Sequence, residues 1–152
     1  MFKRYVDDGF ILWPKHLDID KFIEILNQLH PSIRFTIVKG TEENGLQTNT
    51  FLDIKIIKHM DNTLETVIFF KTTNNHHYLE YNSFHPQHVK DNIPFGMAKK
   101  INVFTTDPDK VRCLLKEMKN WFMEIGYPAE VVDRAIHNSL LQGPAPKPET
   151  KK

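Results

Sequence analysis

An α+β fold is predicted: a small antiparallel sheet with one packed helix, followed by a three-helix segment. Three observations predict it. Short apolar runs separated by turn residues fill residues 4–71. Apolar positions recur at helical spacing between residues 107 and 141. A polar, aromatic tract without a period, TTNNHHYLEYNSFHPQH, lies between the two regions. Strand patterning followed by helical patterning separates the two classes along the chain.

The elements follow in order. RYVDDGFILW (residues 4–13) reads as a hairpin closed near Asp8-Gly9, since aspartate and glycine tolerate positive φ. Only a few residues precede the turn, so the start of the chain looks cut. Asp18 caps a helix from about residue 19 to 30, with Ile19, Phe22, Ile23, Leu26 and Leu29 on one stripe and Pro31 ending it. IRFTIVK (33–39) alternates like a half-buried strand, and GTEENG is a polar loop. FLDIKIIK (51–58) and LETVIFFK (64–71) form strands joined by HMDNT. A helix runs from Pro86 or His88 to about Val103, interrupted or bent at Ile93-Pro94. Asp107 and Pro108 open the next, to about Ile125, with Val111, Leu114, Leu115, Met118, Trp121, Phe122 and Ile125 inward. Gly126 stops it, and Pro128 starts a last helix to about Leu141, with Val132, Ala135, Ile136 and Leu140 inward. GPAPKPETKK (143–152) is a tail too rich in proline and charge to pack. The expected division is 1–75, 76–142 and the tail.

A hydrophobic fraction of 40% allows a core, and a formal charge of +1 gives no overall steering toward nucleic acid or membrane. No apolar run approaches the length of a membrane span, so no membrane partner is expected. One cysteine, Cys113, rules out a disulfide framework and suits a reducing, intracellular compartment.

The acidic turn raises the sharpest chemical question. Joining nucleotides uses two divalent cations roughly 3.5–4 Å apart, and carboxylates on a rigid hairpin tip suit magnesium. Tyr5-Val6-Asp7-Asp8 places two carboxylates on such a tip; an acidic hairpin turn without metal is the plainer reading of those four residues alone. Further along stand Phe51-Leu52-Asp53, Phe70-Lys71-Thr72-Thr73, the tract Tyr81, Asn82, Ser83, His85, Pro86, His88, Lys90, Ile93 and Pro94, and Gly126-Tyr127-Pro128. On these motifs residues 2–135 resemble the palm and thumb of the Penelope-like reverse transcriptases of animal retroelements. Only the lysine and the last threonine of residues 70–73 match that family's pattern.

The resemblance implies roles. Asp7 would be a principal ligand of Mg²⁺ and Asp8 a weaker one. The strands from Phe51 to Lys71 would support a primer end, and the helices beyond residue 86 would grip an RNA template–DNA primer duplex in the nucleus. The fingers and the other palm aspartate precede this motif in the family and are missing from this sequence, so the chain alone is expected not to polymerise.

A second class is a non-catalytic helix-turn-helix protein derived from such an element. Three successive helices with a glycine turn have that silhouette, and the tract resembles a region classed as helix-turn-helix in animal retroelement proteins. Between His85 and Asn120 seven Lys and Arg against four Asp and Glu leave a net +3. Lys71, His88, Lys90, Lys99, Lys100, Arg112 and Lys116 are the candidate nucleic-acid contacts, because cations on a helix face bind phosphates whatever the sequence. An ordinary solvated face reads equally well. The last helix sets Arg134 and Asn138 beside Glu130 and Asp133, which weakens any case for base reading. His76, His77, His85 and His88 lack the cysteine or spaced carboxylate of a zinc site. Cys113 reads as a partly buried filler, and Trp121 and Phe122 as core anchors.

Overall fold

The computed structural model describes residues 1–43 and 45–142; the proline-rich tail lies outside them. Its contacts divide the chain into one unit from Met1 to Thr41 and another from Glu42 onward. The fold class is α+β, with six strands and four helices among the described residues.

In the first unit β1 (Phe2–Tyr5) pairs antiparallel with β2 (Asp8–Ile11). The turn is Val6-Asp7, two residues earlier than Asp8-Gly9, with Tyr5 opposite Asp8 and Arg4 opposite Gly9. Val6, not glycine, takes the positive φ of 51°, and the Arg4 Nε donates to its carbonyl at 2.7 Å. The helix α1 (Ile19–Gln28) is capped by the Asp18 carboxylate, which accepts from the amides of Asp20 and Lys21. None of its residues is fully buried, and Leu29 is largely exposed. Residues 33–39 do not form the expected strand. The Asn27 side chain takes their backbone instead, accepting from the Phe35 amide at 2.6 Å and donating to the Phe35 carbonyl at 3.1 Å. Lys39 pairs with Asp20 at 2.7 Å.

From the boundary onward the chain forms a sheet in the order β3 (Thr41–Glu43, whose first residue closes the first unit), β4 (Leu46–Phe51), β5 (Ile54–Lys58) and β6 (Leu64–Ile68). The polar loop of the sequence reading is therefore the β3–β4 hairpin, and FLDIKIIK is not one strand. The chain reverses at Leu52-Asp53, pairing Phe51 with Ile54. Leu52 adopts φ 54°, a conformation that costs a non-glycine residue about 1–2 kcal/mol. With no glycine there, nothing in the sequence marks the turn. Beyond β6, the Thr105-Thr106 linker lies along the strand as a strap. The Thr106 Oγ1 accepts from Thr66 N at 3.0 Å, Thr105 Oγ1 accepts from Ile68 N at 3.2 Å, and Thr106 N donates to Thr66 O at 2.9 Å.

Three helices complete the unit: α2 (Gln87–Phe104), α3 (Pro108–Glu124) and α4 (Ala129–Leu141). The helix α2 runs through Pro94, which is buried with Lys90, Ala98 and Ile101 along one stripe. Asp107 caps α3 through a 2.8 Å bond from the Asp109 amide, followed by Pro108 in the first turn. Val111, Leu115, Met118 and Phe122 are buried as expected. On α4 the inward residues are Val132, Ala135 and Ser139, while Leu140 is about half exposed. The inward run steps by three and then four residues, which rotates Leu140 off the stripe. The Ser139 hydroxyl is satisfied by the Ile136 carbonyl at 2.8 Å.

The α3–α4 turn has a physical logic. Gly126, at φ 87°, donates to Met123 O at 3.1 Å, and Tyr127 N donates to Phe122 O at 3.0 Å. Those two bonds satisfy the last carbonyls of α3, and the left-handed residue between them favours glycine. The accompanying apolar contact is Phe122 against Tyr127, ring centroids 5.0 Å apart. Together Gly126, Tyr127 and Pro128 end one helix and start the next.

A candidate nucleic-acid interface on the helical segment

The connector before α2 is pinned rather than loose. Tyr81 N donates to Ile125 O, and Tyr78 stacks on Phe122 with centroids 4.7 Å apart. Lys90, a candidate phosphate contact, is 9% exposed. Its ammonium donates to the carbonyls of Tyr81 at 2.8 Å and Ser83 at 3.2 Å and sits 5.2 Å from the centre of the Tyr81 ring. It is occupied in holding the connector against α2.

Two of the six remaining candidate cations, Lys100 and Arg112, are also held in ion pairs. Lys100 pairs with Asp53, Arg112 with Asp109, and, outside the candidate set, Lys110 with Glu65 and Lys119 with Asp133. The formal +3 is thus spread over local pairs, and its field is short. These pairs are exposed enough to contribute little, so a phosphate could compete for them. Lys71, His88 and Lys116 are exposed. Lys99 reaches the Gln142 side-chain oxygen at 3.5 Å and lies 6.0 Å from the Phe95 ring centre.

Packing of α2 on α4 leaves a groove of about 640 Å³. Its polar wall is Arg134 and Asn138, one turn apart on α4, facing Asn92 on α2; Gln142 lies at the end of α4 and Phe95 forms part of the floor. Amides and a guanidinium hydrogen-bond base edges, and the volume lies in the range of small-ligand sites. Asp91 also lines the groove, held by the Gln87 amide at 2.8 Å. The first turns of α4 are acidic, and Asp133 is tied to Lys119. Sequence reasoning singled out Arg134 and Asn138 but missed Asn92, Phe95 and Gln142. The helical offset between α2 and α4 brings them together, and no local spacing announces that.

The histidines do not converge. His85 Nδ1 meets the Ser83 hydroxyl at 3.2 Å, and His88 is exposed. His76, at φ 55°, stacks on Trp121 with centroids 3.7 Å apart, while Phe70 meets the pair edge-on. Burial lowers the His76 pKa, and the charge of Glu117 opposes that shift in part. The neutral ring therefore belongs to the folded state. As pH falls through the ordinary histidine value near 6.5, the unfolded chain takes up the proton first, so stability declines from neutral pH toward the lower folded value. We expect urea midpoints to drop between pH 7.5 and 5, less in His76→Asn, since asparagine tolerates the positive φ. Equal slopes in the two proteins would exclude His76 as the source.

Asp7 and Asp8 stand exposed at the hairpin tip, on the second turn residue and the first residue of β2. Among the described residues no group of three or more His, Cys, Asp or Glu is placed to hold a metal ion. Two adjacent carboxylates are too few donors for a pair of magnesium ions. Cys113 is exposed rather than partly buried, one position off the α3 stripe. No helix of the described residues is long and apolar enough to cross a membrane.

No curated protein and no solved structure matches the chain. The segment that contains the pinned connector, α2, the glycine turn and most of α4 does have a counterpart: residues 77–137 match the model of the animal helix-turn-helix domain.

Proposed function

We propose that this chain binds nucleic acid through the groove between α2 and α4. The observation that carries the reading is the convergence of Arg134, Asn138 and Asn92 on one depression, with Asn92 and Arg134 inside the segment 77–137 that matches a helix-turn-helix family and Asn138 next to its end. Arg134 supplies a phosphate or base contact, Asn138 and Asn92 supply paired donors and acceptors, and Phe95 supplies an apolar floor. The exposed Lys116 and Lys71 add a weak, sequence-tolerant attraction.

The test is fluorescence anisotropy of the full chain with labelled single strands, DNA duplexes and an RNA–DNA hybrid at two salt concentrations. Arg134→Ala with Asn138→Ala is expected to weaken binding about tenfold or more, at roughly 1–3 kcal/mol per good polar pair. Lys116→Ala changes only the salt slope. Unchanged affinity in the groove variant sinks the proposal.

A second reading, part of a Penelope-like reverse transcriptase, is supported by the hairpin tip that carries Asp7 and by the Asn82–Lys90 tract. Its partners are an RNA template and a DNA primer, with Mg²⁺ held jointly by residues outside this chain. Tighter binding of the hybrid than of the DNA duplex in the same assay favours it.

A further inference from the structure

We propose that Phe84 is a stacking platform for an unpaired nucleobase, an inference that rests on the nucleic-acid reading and narrows its ligand to strands with accessible base faces. Phe84 is 110% exposed, while Tyr78, Tyr81, Trp121 and Tyr127 of the same segment all pack inward. Its backbone is held on both sides. Ser83 N donates to Glu80 O at 3.1 Å, Ser83 O accepts from the Lys90 ammonium, and Pro86 O accepts from the amides of Val89 and Lys90. The chain thus spends a buried lysine on fixing a loop whose tip presents a bare ring.

A phenyl ring on a fixed base has only two side-chain torsions to order, so it stacks at little entropic cost. Stacking needs a base with a free π-face. In a duplex both faces are covered by neighbouring pairs, whereas a single strand offers them in succession. His85 and His88, both exposed on the same short stretch, add imidazole donors for the adjoining phosphates. The alternative occupant, an apolar pocket on a protein, would value the volume of the side chain rather than its flat face.

The experiment uses the full chain with a short labelled single strand and the same strand annealed to its complement. Wild type is expected to bind the single strand more tightly. Phe84→Ala and Phe84→Leu lose about tenfold on the single strand and little on the duplex, while Phe84→Trp retains wild-type affinity. Circular dichroism confirms that each variant folds. Wild-type affinity in Phe84→Ala, full recovery by Phe84→Leu, or equal losses on both probes overturns the stacking role. Wild-type binding to the duplex alone also overturns it and leaves the groove reading intact, whereas binding to neither probe sinks the groove reading itself.

Discussion

Phe122→Ala is expected to lower the stability of the second unit by roughly 3–5 kcal/mol, the cost of emptying a buried aromatic site. Phe122 is fully buried and touches two rings at once, stacked with Tyr78 and edge-on to Tyr127. Its carbonyl also accepts the Tyr127 amide that terminates α3. Truncation therefore removes core packing and the apolar clasp of the α3–α4 turn together, and the connector at Tyr78 loses its seat. Native stability of small domains is only about 5–15 kcal/mol, so the variant should be partly unfolded at 37 °C. Urea denaturation followed by circular dichroism reads the change directly. A loss under about 1 kcal/mol would show that this core is not the one holding the helices.

Lys90→Met is the second. Methionine keeps the length and apolar stem of the side chain but removes the ammonium. The carbonyls of Tyr81 and Ser83 lose their common donor, and hydrogen bonds to a charged group contribute about 1.5–3 kcal/mol each. The expected loss is about 2–4 kcal/mol, with faster proteolysis within residues 72–86. The variant also separates two roles for this lysine. A phosphate contact would change the salt dependence of binding and leave the urea midpoint alone; a clamp on the connector does the reverse. A stable variant with an altered salt slope would return Lys90 to the nucleic-acid surface.

The helical half was nearly legible in the sequence, and the strands much less so. Asp107, Pro108, Gly126 and Pro128 carry their own start and stop chemistry, and the α3 stripe repeats often enough to specify a face. The sheet hides its turns. Val6 and Leu52 take positive φ where glycine would announce it, and Asn27 captures a segment that alternates like a strand. The candidate cations were easy to count, but their availability depends on contacts between residues far apart in sequence. Lys90 is withdrawn by carbonyls seven and nine positions back, and Lys100 by an aspartate 47 residues away. The groove was illegible for the same reason, because it exists only once α2 and α4 are packed.

The threonine strap has a consequence for how this molecule keeps company. Thr105 and Thr106 already supply the partners that β6 would offer to a strand from another molecule, and inter-chain β-pairing begins at bare edges of this kind. A shield made of two hydroxyls and one amide is thin. Partial melting of the α2–α3 junction would peel it away and leave a template for aggregation, so the helices guard the solubility of the sheet.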